Sequence, residues 1–402
     1  MWLLDSSTLQ LEEFFFGAGT PLYAILSHTW AEEEVSYHEM QGARETVRHK
    51  AGFKKIKHFC ELAKSYGFSY AWVDSCCIDK RSSAELSEAI NSMYAWYRDA
   101  GICIVYLVDV PGRTEQTMDQ PSAQIEALKK SRWFTRGWTL QELIASSQRR
   151  FFASDWSMID DIVPSGHVGH DFEDLISDIT HISDVVLRDR DELRSFCVAE
   201  RISWAAHRQT TRPEDAAYSL MGLFNVNMPI LYGEGVQSAF RRLQDEIMKT
   251  SFDQTIFAWR GSYESSGMLA QTPADFTDTP QLEIWRPSML APFAMTNIGL
   301  SIKLPIFRRT IEDLPGIALA ALQCDIKTDT GWKILLIHLR LVENANCVVN
   351  GKQCKAYRRV NCSTLDVIPT ASFVGYEDLL VLQDEHFELI KSADELDRKR
   401  RS

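Results

Sequence analysis

The sequence predicts an α/β fold: a parallel sheet first, then a helical segment, then a small C-terminal β-rich domain. Three observations carry this reading. Three short apolar runs alternate with helix-period segments near the N-terminus. Helical spacing dominates from about residue 170 to about 250. Strand-length runs separated by turn residues follow Trp259.

Residues 22–28 (LYAILSH) are rich in strand formers, and the acidic stretch Glu32, Glu33, Glu34 closes the run. Phe53, Ile56, Phe59, Cys60 and Ala63 then fall at helical spacing, with Gly67 as the stop. Residues 70–74 (YAWVD) form a second strand. Ser82 precedes an amphipathic helix in which Leu86, Ala89, Ile90, Met93, Tyr94 and Tyr97 share one face. Residues 102–108 (ICIVYLV) are apolar throughout, as suits a strand covered on both faces. Strand, helix, strand, helix, strand implies right-handed crossovers and a parallel sheet, with these three strands as its neighbouring centre. Pro111, Gly112 and Pro121 mark 111–123 as a loop, before a helix over 136–146 and a strand over 150–153. Further helices are expected over 198–207, 213–224 and 236–249, and strands over 299–304, 317–324 and 333–340. The implied domains are 1–155 (α/β), 156–260 (helical) and 261–402 (β-rich).

A chain of 402 residues has room for two or three domains, and 45% apolar residues suffice for sizeable cores. A net charge of −12 argues against nucleic acid, whose phosphates call for clustered Lys and Arg. The basic run Arg398, Lys399, Arg400, Arg401 reads as a solvated tail. Nine cysteines contain no C-x-x-C pair, and Cys76 and Cys77 are adjacent, which suits neither an ordinary disulfide nor a zinc site. No apolar run approaches the ~20 residues of a membrane span, and the N-terminus lacks the pattern of a signal peptide. A reducing, cytoplasmic setting is expected, with no metal and no cofactor.

Four segments stand out for rare residues in order. They are 23–30 (YAILSHTW), 72–80 (WVDSCCIDK) with Glu85 and Met93, 132–143 (RWFTRGWTLQEL), and a set made of 203–206 (SWAA), 210–215 (TTRPED) and 231–235 (LYGEG). Together they resemble the fungal heterokaryon-incompatibility (HET) domain, over about residues 1–260. Two positions depart from the family pattern: Ala31 and His181 stand where members usually carry Gly, which bears on tight backbone turns. The HET domain is in turn similar, distantly, to the TIR domain, a flavodoxin-like fold of which some members cleave NAD. That likeness implies a first strand ending in Ser27 and a helix start, Trp138 to Leu143, that holds a catalytic Glu142.

Each candidate has a plainer reading beside it. Glu142 is the carboxylate that the resemblance implies as catalytic, steadying a ribosyl cation; the plainer reading pairs it with Arg136 or Arg132. Glu85 is a pocket residue or the second half of a Ser82-x-x-Glu85 capping box. Asp74 and Asp79 lie at a strand end, where open parallel sheets bind ligands, or cap their own loop. Cys77 is a nucleophile with His28 as base, or a small buried hydrophobe. Ser27, Trp30 and Trp138 complete the expected pocket; Trp30, Trp72, Trp133 and Trp138 are ring walls or core. His167, His170 and Asp171 have metal-like spacing but read as a surface loop. Gly233, Glu234 and Gly235 set a turn into a helix, because Ser238 occupies the third glycine of a dinucleotide fingerprint.

Three functions follow as expectations. The first is non-self recognition and programmed cell death, with NAD as substrate. The second is a family member recruited to secondary metabolism, a cyclase or pericyclase folding an apolar intermediate. The third is a non-catalytic scaffold. The expected partners are a small-molecule ligand and further copies of the chain, with neither nucleic acid nor a membrane span.

Overall fold

The computed structural model describes residues 1–42, 44–112, 121–159, 171–279, 282–284, 292–307, 316–349, 352–369 and 376–383. His167, His170 and the basic run 398–401 lie outside the described residues. The chain divides into two compact units. One comprises Met1–Arg194 with Arg208–Leu231, the other Ser195–His207 with Tyr232–Ser402.

The first unit is built on a six-stranded mixed sheet. Its strands are β1 (Trp2–Asp5), β2 (Leu11–Glu13), β3 (Tyr23–His28), β4 (Tyr70–Trp72), β5 (Ile102–Tyr106) and β6 (Arg149–Phe152), in the order β2-β1-β4-β3-β5-β6. The four strands β4, β3, β5 and β6 are parallel. The three apolar runs are therefore parallel neighbours, as their composition predicts. Counted along the chain, these four strands run 2-1-3-4. The N-terminal hairpin adds an antiparallel edge, with β1 on β4 and β2 on β1. Four residues, Trp2 to Asp5, are too few for periodicity to reveal that edge.

Helices α1 (Tyr37–Gln41), α2 (Ala51–Ser65), α3 (Ser83–Asp99), α4 (Pro121–Lys129), α5 (Thr139–Ala145), α6 (Phe172–Thr180) and α7 (Asp184–Arg188) complete the main succession. α2 buries Phe53, Ile56, Phe59, Cys60 and Ala63, the stripe that its spacing predicts. α3 buries Ala89, Ile90, Met93, Trp96 and Tyr97. Every residue of β3 is buried, because helices cover both faces of the sheet there. Two expectations shift at their bounds. The loop at 111–123 already turns helical at Pro121, and the helix expected over 136–146 begins only at Thr139. Gly137 sits outside that helix because residues 209–210 run against it. A Cβ there would meet the Thr210 side chain at 2.4 Å, and Gly137 N–H donates to Gln209 O at 2.8 Å.

The second unit carries the helix Gly235–Thr250 and a nine-stranded sheet. Gly233 and Gly235 have φ of 101° and 81°, so they do form the turn into that helix. The sheet strands are β7 (Ser265–Ser266), β8 (Leu282–Ile284), β9 (Ala294–Met295), β10 (Gly299–Phe307), β11 (Ile317–Thr328), β12 (Gly331–Val349), β13 (Lys352–Val360), β14 (Asp366–Pro369) and β15 (Tyr376–Leu382). β12 pairs with β11 and also with β13, which closes β10, β11, β12, β13 and β15 into a barrel-like ring. Closure removes the open edges that those strands would otherwise present. The pairs are antiparallel, except β13 with β15.

Asp171, read from sequence as part of a loop, is the N-cap of α6. Its carboxylate accepts from Asp174 N–H at 3.1 Å, and Asp174 returns the bond. His181 ends the same helix at φ 57°, in the left-handed region where glycine is favoured. Ala31, the other departure from the family pattern, is not among the positive-φ residues and carries no such strain. Because the His181 side chain is exposed, His181→Gly relieves the backbone without opening the core. It should raise unfolding stability by about 1 kcal/mol, measured by urea denaturation.

Candidate functional site

β3 ends in Ser27 and His28. Successive side chains of a strand point to opposite faces, so these two neighbours reach into different surroundings.

On one face Ser27 meets α5. Its hydroxyl donates to Glu142 Oε2 and accepts from Trp133 Nε1 at 2.8 Å. Trp133 is held in place by the 3-10 turn Arg132–Thr135, and Tyr97 of α3 closes the space by donating to Leu26 O at 2.9 Å. Glu142 retains 7% exposure. Burial raises its carboxyl to about 7; the Ser27 hydrogen bond and the Arg136 charge oppose the rise, and the negative Asp74 reinforces it. Arg208 adds a second positive charge that Glu142 feels, its guanidinium donating to Arg136 O and to Thr139 Oγ1. The direct hydrogen-bond partner of Glu142 is Ser27, a residue 115 positions away, and Arg136, a partner in the plainer reading, acts on it as a nearby positive charge.

On the other face His28 meets the end of β4 and the side of α2. Its Nε2 lies 3.0 Å from Asp74 Oδ1, and Lys55 Nζ lies 2.8 Å from its Nδ1. Nε2 donates to the Asp74 carboxylate, while Nδ1 lies between the Lys55 ammonium, a donor, and the Thr29 carbonyl, an acceptor, at 3.2 Å. Lys55 also donates to Glu34, whose same oxygen accepts from Ala31 N–H at 3.0 Å. Trp30 Nε1 donates to Asp74 Oδ2 at 2.7 Å, and the Lys80 ammonium lies 3.5 Å above the Trp30 ring. Desolvation works against the Asp74 carboxylate. The His28 hydrogen bond and the positive Lys80 and Arg136 outweigh it and hold the carboxyl well below the usual range.

Ser27, His28, Trp30, Asp74 and Glu142 thus gather at the C-terminal end of β3. Asp79, in the β4–α3 loop, makes its contacts with other residues. Its backbone N–H donates to Glu85 at 2.8 Å, and its carboxylate faces His38 Nε2 at 3.0 Å. Glu85 forms half of the capping box: Ser82 Oγ accepts from Glu85 N–H, while the Glu85 carboxylate reaches Asp79 instead of Ser82. Cys77 does not pair with His28. Its thiol accepts from Val73 N–H at 3.4 Å, and both ring nitrogens of His28 are engaged elsewhere. Cys77 and Glu85 line a different cavity, whose described lining includes none of Ser27, Asp74 or Glu142. Trp138 is half-buried at the N-terminal end of α5, whereas Trp72 and Trp133 are core. Among the described residues no group of three or more His, Cys, Asp or Glu could hold a metal, and no helix is long and apolar enough to cross a membrane.

Sequence reasoning missed Lys55, Glu34, Tyr97 and Arg208. Glu34 reads from sequence only as part of the acidic run after β3, Lys55 and Tyr97 only as residues of the amphipathic helices α2 and α3, and Arg208 joins the cluster through tertiary packing.

The buried carboxyl has a consequence for stability. Its folded value of about 7 lies above its ordinary 4.5, so the folded chain holds that proton more tightly than the unfolded chain. The resulting stabilisation is complete below about pH 4.5 and is lost as pH rises through about 7. Glu142→Gln keeps the shape and does not titrate. The stability of this variant relative to the native chain should therefore rise by about 2 kcal/mol between about pH 5 and about pH 8. Urea unfolding at the two pH values measures it, and a gap that stays flat would contradict the raised carboxyl.

Comparison with known proteins agrees with the motifs. Residues 23–123 match the family described as heterokaryon incompatibility protein (HET), and residues 238–302 match a domain of unknown function (DUF8212). The chain is 46% identical over 231 residues to the vegetative incompatibility protein HET-E-1 of Podospora anserina. That stretch is 57% of this chain but spans only 16% of the relative's length. No solved structure matches. The match coincides with β3 to β5 and the Ser27 and Asp74 ends, and on this ground the chain is a HET-domain protein, with its heterokaryon-incompatibility domain over residues 23–123.

Proposed function

We propose that this chain acts in fungal non-self recognition and cell death, and that its α/β unit does so by cleaving NAD, with Glu142 as the catalytic carboxylate. The observation that carries the reading is the buried Glu142–Ser27 pair, with its carboxyl near 7, beside the charged Asp74. The name of the Podospora anserina relative, a vegetative incompatibility protein, supports the biological setting. The order 2-1-3-4 of the parallel strands supports the TIR-like, flavodoxin-like reading. In that arrangement the chain reverses direction between the first and third strands, and ligands bind at the carboxyl ends there. Ser27 and His28 are the carboxyl end of the first of those strands.

The chemistry is a heterolysis. The bond from C1′ of the ribose to the nicotinamide nitrogen breaks, its electron pair goes to the ring and neutralises the pyridinium, and water adds to C1′ with loss of a proton. The leaving group is good, so no strong acid is needed. An anion facing the developing ribosyl cation is needed, and ionised Glu142 supplies it. Ser27 and Trp133 fix the position of that carboxylate. Trp30 is held by Asp74 beside His28, on the opposite side of the strand end from Glu142. The recruited-cyclase reading fits less well, because a charged hydrogen-bonded cluster is a poor lining for an apolar intermediate.

Only the carboxylate form is competent, so turnover should rise with pH through a midpoint near 7 and then level off. Glu142→Gln should lower it by roughly 10²–10³ while the fold survives. The assay measures nicotinamide release from NAD by clustered full-length protein. Native protein that leaves NAD intact, or a variant of equal rate, would remove this mechanism and bring the cyclase reading forward.

A further inference from the structure

A second cavity lies in the first unit, at the edge of the sheet that the N-terminal hairpin adds. It measures about 380 Å³, within the range of small-molecule sites. Its walls combine two kinds of side chain. Trp2, Phe14, Phe16 and Trp96 supply rings, with Phe16 and Trp96 packed edge to face at 6.3 Å. Glu13 and Glu88 supply carboxylates, and both are exposed. No Lys or Arg is among the described residues that line it; the positive charge in its wall is the Met1 ammonium, which donates to Phe14 O at 3.0 Å and stands against the three carboxylates of Glu13, Glu85 and Glu88. Aromatic faces and carboxylates attract the same kind of guest: a positive charge whose surroundings are carbon rather than water.

We propose that this cavity is a binding site for a small organic cation, an alkylated ammonium. The rings of Trp2, Phe14 and Trp96 hold the alkylated head, and Glu13, Glu85 and Glu88 balance its charge. The site shares no residue with the Ser27–Glu142 cluster, so neither reading stands on the other. It is joined to that neighbourhood through Glu85, in the cavity wall, which accepts from Asp79 N–H in the loop that follows Asp74, and through Cys77, which accepts from Val73 N–H.

Calorimetric titration of the full chain with choline tests the proposal, with 3,3-dimethylbutan-1-ol as the uncharged carbon analogue of the same shape. Choline should bind at millimolar concentration or tighter, and the analogue on the order of tenfold more weakly. The double variant Glu13→Gln, Glu88→Gln changes only exposed side chains, and should lose choline affinity on the order of tenfold with an unchanged melting temperature. Equal binding of choline and its analogue, undiminished binding to the double variant, or no heat with native protein would each overturn the site.

Discussion

The hydrogen bond from Ser27 to Glu142 is the interaction around which the first unit is arranged. A carboxyl taken out of water requires donors, and a lone side chain of α5 cannot find them on its own helix. The end of β3 supplies the hydroxyl, Trp133 fixes that hydroxyl from its other side, and Tyr97 packs across from α3. The positions of α3, α5 and the 3-10 turn before α5 are thus tied to one residue at a strand end. Moving any of them by the width of a side chain leaves a buried acceptor unmet, and that penalty exceeds what a typical hydrogen bond contributes.

Alternation along β3 then sets up an opposition. Ser27 and His28 share a backbone but not an environment. Ser27 faces a carboxyl that burial drives up to about 7; His28 faces a carboxyl that its own N–H, Lys80 and Arg136 drive down. Two acids with divergent proton affinities stand at the end of the same strand. Each also acts on the other: the Asp74 charge raises Glu142 further. A pair separated in this way divides roles, with one member fixed as an anion and the other able to change state near neutral pH.

The parts that were legible in sequence are those that local periodicity encodes. β3, β4 and β5 are apolar runs, α2 and α3 carry clear stripes, and their alternation implies parallel order. Ser27, His28, Asp74 and Glu142 were legible because each lies in a motif at an element's end. The partnerships were not. His28 pairs with Asp74 rather than Cys77, and nothing in the spacing of 28, 74 and 77 distinguishes the two, because the loop after β4 decides which side chain turns inward. Glu85 was readable as a capping residue, yet its carboxylate reaches Asp79 because that loop folds back over the start of α3. β1 was hidden by its length, and with it the aromatic cavity that the hairpin completes.

A purely architectural role explains Glu142 poorly. The Ser27 hydroxyl needs an acceptor, and a Gln amide oxygen would provide one with the same volume and no charge. Glu in that place loses stability as the pH rises from its ordinary 4.5 through its raised value of about 7, so near neutrality the fold carries a cost of about 3 kcal/mol that the amide would not. Trp133 and Arg136 do not remove the cost: the indole is already committed to Ser27, and the Arg136 charge is shared with Asp74. What the carboxyl offers and the amide lacks is a negative charge available near neutral pH. A site that accepts instability in order to hold an ionisable group has the physical signature of chemistry rather than of packing, and this separates Glu142 from the capping carboxylates Asp171 and Asp174, whose charges are neutralised by Arg188 near the surface.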